Sequence, residues 1–160
     1  MNDVLRLITL FAFLALPAWA QTNIDLGGLT VDSSAQIEVS ADSLTVDQDT
    51  GTAQFSGNVV IGQGDLRLSA RSVSVSYDDT TGDIARLSVS GGVTFVTATE
   101  AAEAESADYN LTDGTLTLSG NVLLTQGPSA LSSDRMTINL KTGTARMDGR
   151  VRTVFNQGNN

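Results

Sequence analysis

From Ile37 to Phe155 apolar and polar residues alternate in short runs, so every second side chain shares one face of an extended chain. The runs are Ile37/Val39, Leu44/Val46, Phe55/Gly57/Val59/Ile61, Leu66/Leu68, Val73/Val75/Tyr77, Ile84/Leu87/Val89 and Val93/Phe95. They continue with Tyr109/Leu111, Leu116/Leu118, Val122/Leu124, Leu131, Met136/Ile138/Leu140, Ala145/Met147 and Val151/Thr153/Phe155. They recur at intervals of about 8–12 residues, the rhythm of an all-β sandwich, barrel or roll. Turn formers separate them at Asp47 to Gly51, Gly62 to Gly64, Asp78 to Gly82, Asp113-Gly114, Gly127-Pro128 and Lys141 to Gly143.

Two stretches share one grammar. Gly114 to Gly127 alternates up to Ser119, passes through Gly120-Asn121, and resumes at Val122. Thr50 to Gly64 repeats this around Ser56-Gly57-Asn58-Val59. Looser copies end in Ser90-Gly91-Gly92-Val93 and Asp148-Gly149-Arg150-Val151. Gly and Asn tolerate positive φ, so each pair is a place to reverse or offset a strand, and a second strand is expected after it. The turn glycines Gly51, Gly82, Gly114 and Gly143 recur about every 30 residues, within the range of stacked repeats. A unit of a few short strands cannot bury its apolar face alone, so units must stack. The predicted fold is an elongated antiparallel β-roll, solenoid-like, with a smooth aliphatic interior of Val, Leu, Ile and Met. Thr97 to Ala107, rich in Ala and Glu with no apolar stripe, interrupts the pattern and reads as an irregular, mobile strand or loop.

The N-terminus reads as an export signal. Arg6 precedes an apolar run from Leu7 to Leu16, Pro17 breaks it, and Ala18-Trp19-Ala20 fits a cleavage site after Ala20. Its roughly 10 apolar residues fall short of the ~20 that span a bilayer. The parts are then a signal peptide over 1–20, a flexible lead-in and first edge over 21–36, the roll over 37–155, and a disordered tail over 156–160.

Composition narrows the chemistry. There is no cysteine, so no disulfide holds the fold, and no histidine, which removes imidazole catalysis and HExxH-type metal sites. The net charge of -9 argues against nucleic acid, which needs a basic face. Arg146, Arg150 and Arg152 form the one basic cluster. Carboxylates are plentiful, but most sit in turns, where Asp serves local backbone bonding. Asp47-Gln48-Asp49-Thr50-Gly51 looks like a calcium loop without its downstream ligands. No catalytic site, metal site or cofactor is expected.

The aliphatic interior is either a closed core or an open groove, and alternation alone does not separate them. A groove would be strong enough to hold a lipid. Burial is worth about 0.8 kcal/mol per CH₂, so a 12-carbon chain gains on the order of 9 kcal/mol before ordering costs.

Ser56–Gly64 and Ser119–Gly127, with the Ser-Ala-Asp openings at Ser40-Ala41-Asp42 and Ser106-Ala107-Asp108, resemble the repeats of the OstA-like family of lipopolysaccharide export proteins. The resemblance covers roughly Ile37 to Phe155. It implies a β-jellyroll open at both ends in the periplasm, with lipopolysaccharide acyl chains inside. It also implies end-to-end stacking of copies, bridging an inner-membrane export complex to an outer-membrane translocon that carry similar domains. Carried over to this chain, the lipid-facing positions are Val59, Ile61, Leu66, Leu68, Val73, Val75, Leu116, Leu118, Val122, Leu124, Met136 and Ile138. The inward parity is the step most easily inverted, because one bulge flips a strand. The stacking edges are Ile37 and Val39 at one end and Val151, Thr153 and Phe155 at the other.

The alternative is an exported β-roll that self-assembles or bridges partners without lipid. The carrier reading expects a charge at Leu118 or Ile138 to abolish lipid binding with the fold intact. The scaffold reading expects the same change to unfold the domain.

Overall fold

The computed structural model describes residues 24–25, 32 and 34–155, which form one antiparallel sheet. In chain order its strands are β1 (Ile24–Asp25), β2 (Ile37–Ser40), β3 (Ser43–Asp47), β4 (Thr52–Gln63), β5 (Leu66–Tyr77), β6 (Ile84–Val96), β7 (Glu100–Asn110), β8 (Thr115–Gln126), β9 (Ser129–Asn139), β10 (Thr144–Asp148) and β11 (Arg152–Val154). The signal peptide and the 156–160 tail lie outside the described residues, as does most of the lead-in.

Strands β4 to β9 are consecutive hairpins, joined at turns marked by the sequence except between β6 and β7, where the turn lies at 97–99. Asp47 Oδ1 accepts from the backbone N–H groups of Asp49 and Thr50, at 2.9 and 3.2 Å. Asp78 Oδ1 does the same for Thr80 and Thr81, at 2.8 and 2.9 Å. These bonds hold both carboxyls below the usual carboxylate range. The aspartates here are turn formers.

At each end of the sheet the last layer is split in two. β3 pairs with Thr52–Ser56 of β4 and β2 with Val60–Gln63. At the other end β10 pairs with Arg135–Asn139 of β9 and β11 with Ala130–Ser132.

A single column of bulges organises the sheet. The register shifts between Ser56 and Val59, Ser90 and Val93, Glu103 and Ser106, and Ser119 and Val122. In every case one strand carries one residue more than its neighbour, the geometry of a β-bulge. The doubled positions are Gly57-Asn58, Gly91-Gly92, Gly120-Asn121 and Gly149-Arg150, all at positive φ. The single residues between them are Asp42, Arg71, Glu105 and Asp134. Their side chains lie over the glycines: a Cβ on Gly57, Gly91 or Gly120 would fall within 2.6 Å of Asp42, Arg71 or Glu105 respectively. Asn58 Nδ2 donates to Asp42 Oδ2 at 2.8 Å, Asn121 Nδ2 to Glu105 Oε1 at 2.6 Å, and Arg150 Nε to Asp134 Oδ1 at 2.9 Å.

Two expectations are corrected by this geometry. Gly120-Asn121 does not separate two strands. Leu116/Leu118 and Val122/Leu124 belong to one strand of 12 residues, offset by the bulge. Each ~30-residue unit is therefore two long strands. Thr97–Ala107 is no loop either: from Glu100 it is ordered strand, because alanines at 102, 104 and 107 turn inward against Phe95, Leu124 and Leu118. Ala is a strong helix former, so among the glutamates its inward spacing did not stand out as a strand pattern. The 21–36 segment, expected as a lead-in and first edge, contributes strand β1.

Gly92 and Gly120 share φ 84, yet a Cβ on Gly92 meets nothing within 4 Å whereas one on Gly120 meets Glu105 Cβ at 2.8 Å. Gly92→Ala should cost the left-handed strain alone, about 1–2 kcal/mol. Gly120→Ala should cost roughly 1 kcal/mol more through the added clash. Urea unfolding of both variants measures the difference, and equal losses would remove the packing role assigned to the column.

Candidate functional site: an apolar interior between two half-sheets

The bulge column divides the sheet into two halves whose apolar faces meet. The column also sets which residues face inward. Strands carrying the doubled Gly pair keep their parity across it, as Leu116, Leu118, Val122 and Leu124 do in β8. Strands carrying the single residue change parity, as from Leu66 and Leu68 to Val73 and Val75 in β5.

The inward residues form rows in register across the sheet. One half carries Ala53, Val75, Leu87, Tyr109, Leu116, Ile138 and Ala145, and beside it Phe55, Val73, Val89, Ala107, Leu118, Met136 and Met147. The other half carries Val39, Ile61, Leu68, Phe95, Ala102, Leu124, Leu131 and Thr153. The rows run the whole length of the sheet.

All twelve positions singled out in the sequence are buried in this interior, with Leu118, Leu124, Met136 and Ile138 fully covered. Of the edge positions, Ile37 and Val39 are half-buried on β2. Val151 precedes β11, Thr153 lies in it and Phe155 follows it, and all three are exposed.

Among the described residues the interior is closely packed. An apolar cavity between Ile61, Leu66 and Leu68 of one half and Leu87, Tyr109 and Leu116 of the other measures about 10 Å³, room for about one water. A charge at Leu118 or Ile138 would therefore be buried unpaired and unfold the domain whether or not lipid binds. That substitution does not discriminate between the two readings of the sequence.

Hydropathy could not reveal the polar groups inside. Gln63 and Glu100 lie on inward rows and are buried. Tyr109 Oη donates to Gln63 Oε1 at 3.1 Å, tying the two halves together across the interior. The Glu100 carboxylate accepts from Thr97 Oγ1 at 2.7 Å, Thr99 Oγ1 at 2.5 Å and Gln126 Nε2 at 3.0 Å, which fixes the β6–β7 turn. No buried side-chain polar atom among the described residues lacks a partner. Leu87, Val89, Val93, Phe95 and Leu131 also line the interior and were legible as alternating runs, although the family motifs did not mark them.

At both ends the inward rows run out into solvent. Leu44 and Val46 on β3 are 54% and 62% exposed, and Val151 and Phe155 are 52% and 73% exposed.

Residues 38–144 match the model of the LptA/(LptD N-terminal domain) LPS transport protein family. Among solved structures the chain is similar to LptH from Pseudomonas aeruginosa, the LptA homologous periplasmic component of the conserved lipopolysaccharide transport device. That likeness has a TM-score of 0.71 at 17% identity and covers 79% of this chain and 99% of that one. It extends the shared jellyroll fold over nearly all of that protein. No curated protein matches by sequence.

Burial raises the Tyr109 phenol above its ordinary value. The unfolded chain thus releases that proton first, and the stability Tyr109 contributes is intact below about pH 10 and lost as pH rises beyond it. Tyr109→Phe should cost about 1 kcal/mol near neutrality, through the hydrogen bond to Gln63. It should also flatten the alkaline limb of stability against pH. Denaturant unfolding of both proteins between pH 7 and 11 reads both effects.

Proposed function

The chain belongs to the LptA/(LptD N-terminal domain) LPS transport protein family, and from that membership we propose that it carries lipopolysaccharide through the periplasm with the acyl chains held between its two half-sheets. The observation that supports this most is the continuity of the inward rows. They are mostly aliphatic, with Phe55, Phe95 and Tyr109 among them, and emerge at both ends as exposed apolar side chains.

The physical scheme is a wedge. Acyl chains replace contacts between the half-sheets, which part about the bulge column, while sugars and phosphates stay in solvent beside an acidic surface. Every row offers similar Val, Leu, Ile and Met contacts, so a bound chain gains about 0.8 kcal/mol per buried CH₂ wherever it lies. No row is a trap. Net movement then needs a push from an energised partner at the inner membrane, with an outer-membrane translocon receiving the lipid. Copies stacked end to end would make the rows continuous across that distance. The protein acts as carrier and bridge and performs no chemistry.

The closely packed interior favours a second reading, a scaffold of the same shape that bridges partners without lipid. A photo-crosslinking residue at Leu118, with a control at Thr117 on the opposite face of β8, separates them. The carrier reading expects a lipopolysaccharide adduct at Leu118 and none at Thr117 in cells. A folded protein with no adduct at either position sinks the carrier and leaves the scaffold.

A further inference from the structure

The outer edge of β10 is already occupied. β1 lies antiparallel along it, with Ile24 in register with Ala145 and Asp25 with Thr144. The N-terminal segment thus pairs with the C-terminal end of the sheet, whereas β2 and β3, which follow it in the chain, form the opposite end. The pairing covers two residues, and Arg146, Met147 and Asp148 continue the same edge beyond it.

A second copy added by translation along the sheet would present β3 to that same edge. The sheet has eight layers, counting β2 with β3 and β10 with β11 as one layer each, and neighbours alternate in direction. The two end layers therefore run oppositely, so β3 of a second copy meets β10 antiparallel, as β1 does, and β2 meets β11. The bulge column stays in phase as well. Asp42 of the incoming copy would face the doubled Gly149-Arg150, as Glu105 faces Gly120-Asn121 within the chain. The segments also share a pattern: Ile24-Asp25-Leu26 and Leu44-Thr45-Val46-Asp47 both set apolar residues two apart with an Asp beside them. Charge favours the union. Asp32, Glu38, Asp42, Asp47 and Asp49 mark the β2–β3 end without a Lys or Arg among them, and Arg135, Lys141, Arg146, Arg150 and Arg152 outnumber Asp134 and Asp148 at the β10–β11 end.

We propose that β1 is an intramolecular stand-in for β3 of a second copy, a self-cap that must leave β10 before copies stack end to end. The inference rests on the stacking in the preceding section. Because β1 belongs to the same chain, its pairing with β10 is intramolecular and independent of protein concentration, whereas a second copy competes for that edge only in proportion to its concentration. The incoming end layer displaces it by being longer: β3 and β2 together offer nine residues of strand and the exposed Leu44 and Val46. Capping reduces apparent self-affinity by the fraction of time the edge is free. It also protects an unpaired edge from indiscriminate strand addition.

The test uses the chain's lack of cysteine. Ile24→Cys with Ala145→Cys places the two thiols at register partners of the cap. The full mature chain is oxidised at low concentration, and monomers cross-linked within the chain are isolated and checked for native circular dichroism. Self-association is then measured by sedimentation velocity over a concentration series, before and after reduction. Ile24→Pro, which prevents the pairing, is measured alongside. The expected result is a locked protein that stays monomeric, a reduced form that associates, and an Ile24→Pro variant that associates about tenfold more tightly than the unmodified chain. If the locked protein associates as readily as the reduced one, stacking stands and the self-cap is wrong. If no form associates at any concentration, including Ile24→Pro, the stacking itself is wrong and the cap falls with it.

Discussion

The fold depends on a backbone constraint. One strand must carry one residue more than its neighbour at the same level of every strand pair, and the doubled pair must take positive φ. An L side chain with a Cβ resists that conformation, so Gly holds the first place in all four pairs and Gly, Asn or Arg the second. The polar second residues offset part of the strain by bonding outward to the single residue: Asn58 to Asp42, Asn121 to Glu105 and Arg150 to Asp134. Arg150, the costliest occupant sterically, has the strongest partner. Its guanidinium holds the Asp134 carboxyl below the usual range.

From that column follows the interior. A flat sheet of this composition would leave one face of Val and Leu in water. Folded at the column, it buries both half-faces against each other without a helix or second sheet. The same device makes the two halves separable in principle, because the hinge is backbone geometry and the contact between halves is mostly aliphatic. Tyr109 to Gln63 is a directional bond across it, and β7 contributes only alanines over Ala102, Ala104 and Ala107. A contact made of small non-directional terms gives way by degrees. That suits a lining which must release what it holds.

Much of this was legible in the chain, and the reasons are specific. Alternation identified nearly every strand, and the glycine pairs marked the column because no other residue tolerates the geometry as cheaply. The parity change from Leu66/Leu68 to Val73/Val75, or from Leu131 to Met136/Ile138, is an apolar frame that slips by one residue, but with the runs read one by one it was not drawn from the sequence. What hydropathy missed were residues whose role depends on a neighbour in space. Ala102 and Ala107 read as neutral until Phe95 and Leu118 lie beside them, and Gln63 and Glu100 read as surface until Tyr109 and Gln126 satisfy them. The pairing of β1 with β10 was beyond reach for the same reason. Two residues hold no periodicity, and their partner lies at the far end of the sheet.

Parity links the spine to the ends. Each strand reverses direction and exchanges a single residue for a doubled pair, so both properties repeat only after two strands, which is why the sequence repeats near 30 residues. A sheet of this kind continues into another copy only if it holds an even number of layers. With an odd number, like ends would meet: single against single at the column and parallel strand against strand. The eight layers here meet the condition, and dividing each end layer at the column keeps both halves in step. The short edge strands are then not frayed remnants of the repeat. They are half-units of its geometry, left without neighbours at either end, and β1 supplies one of them with a neighbour from within the chain.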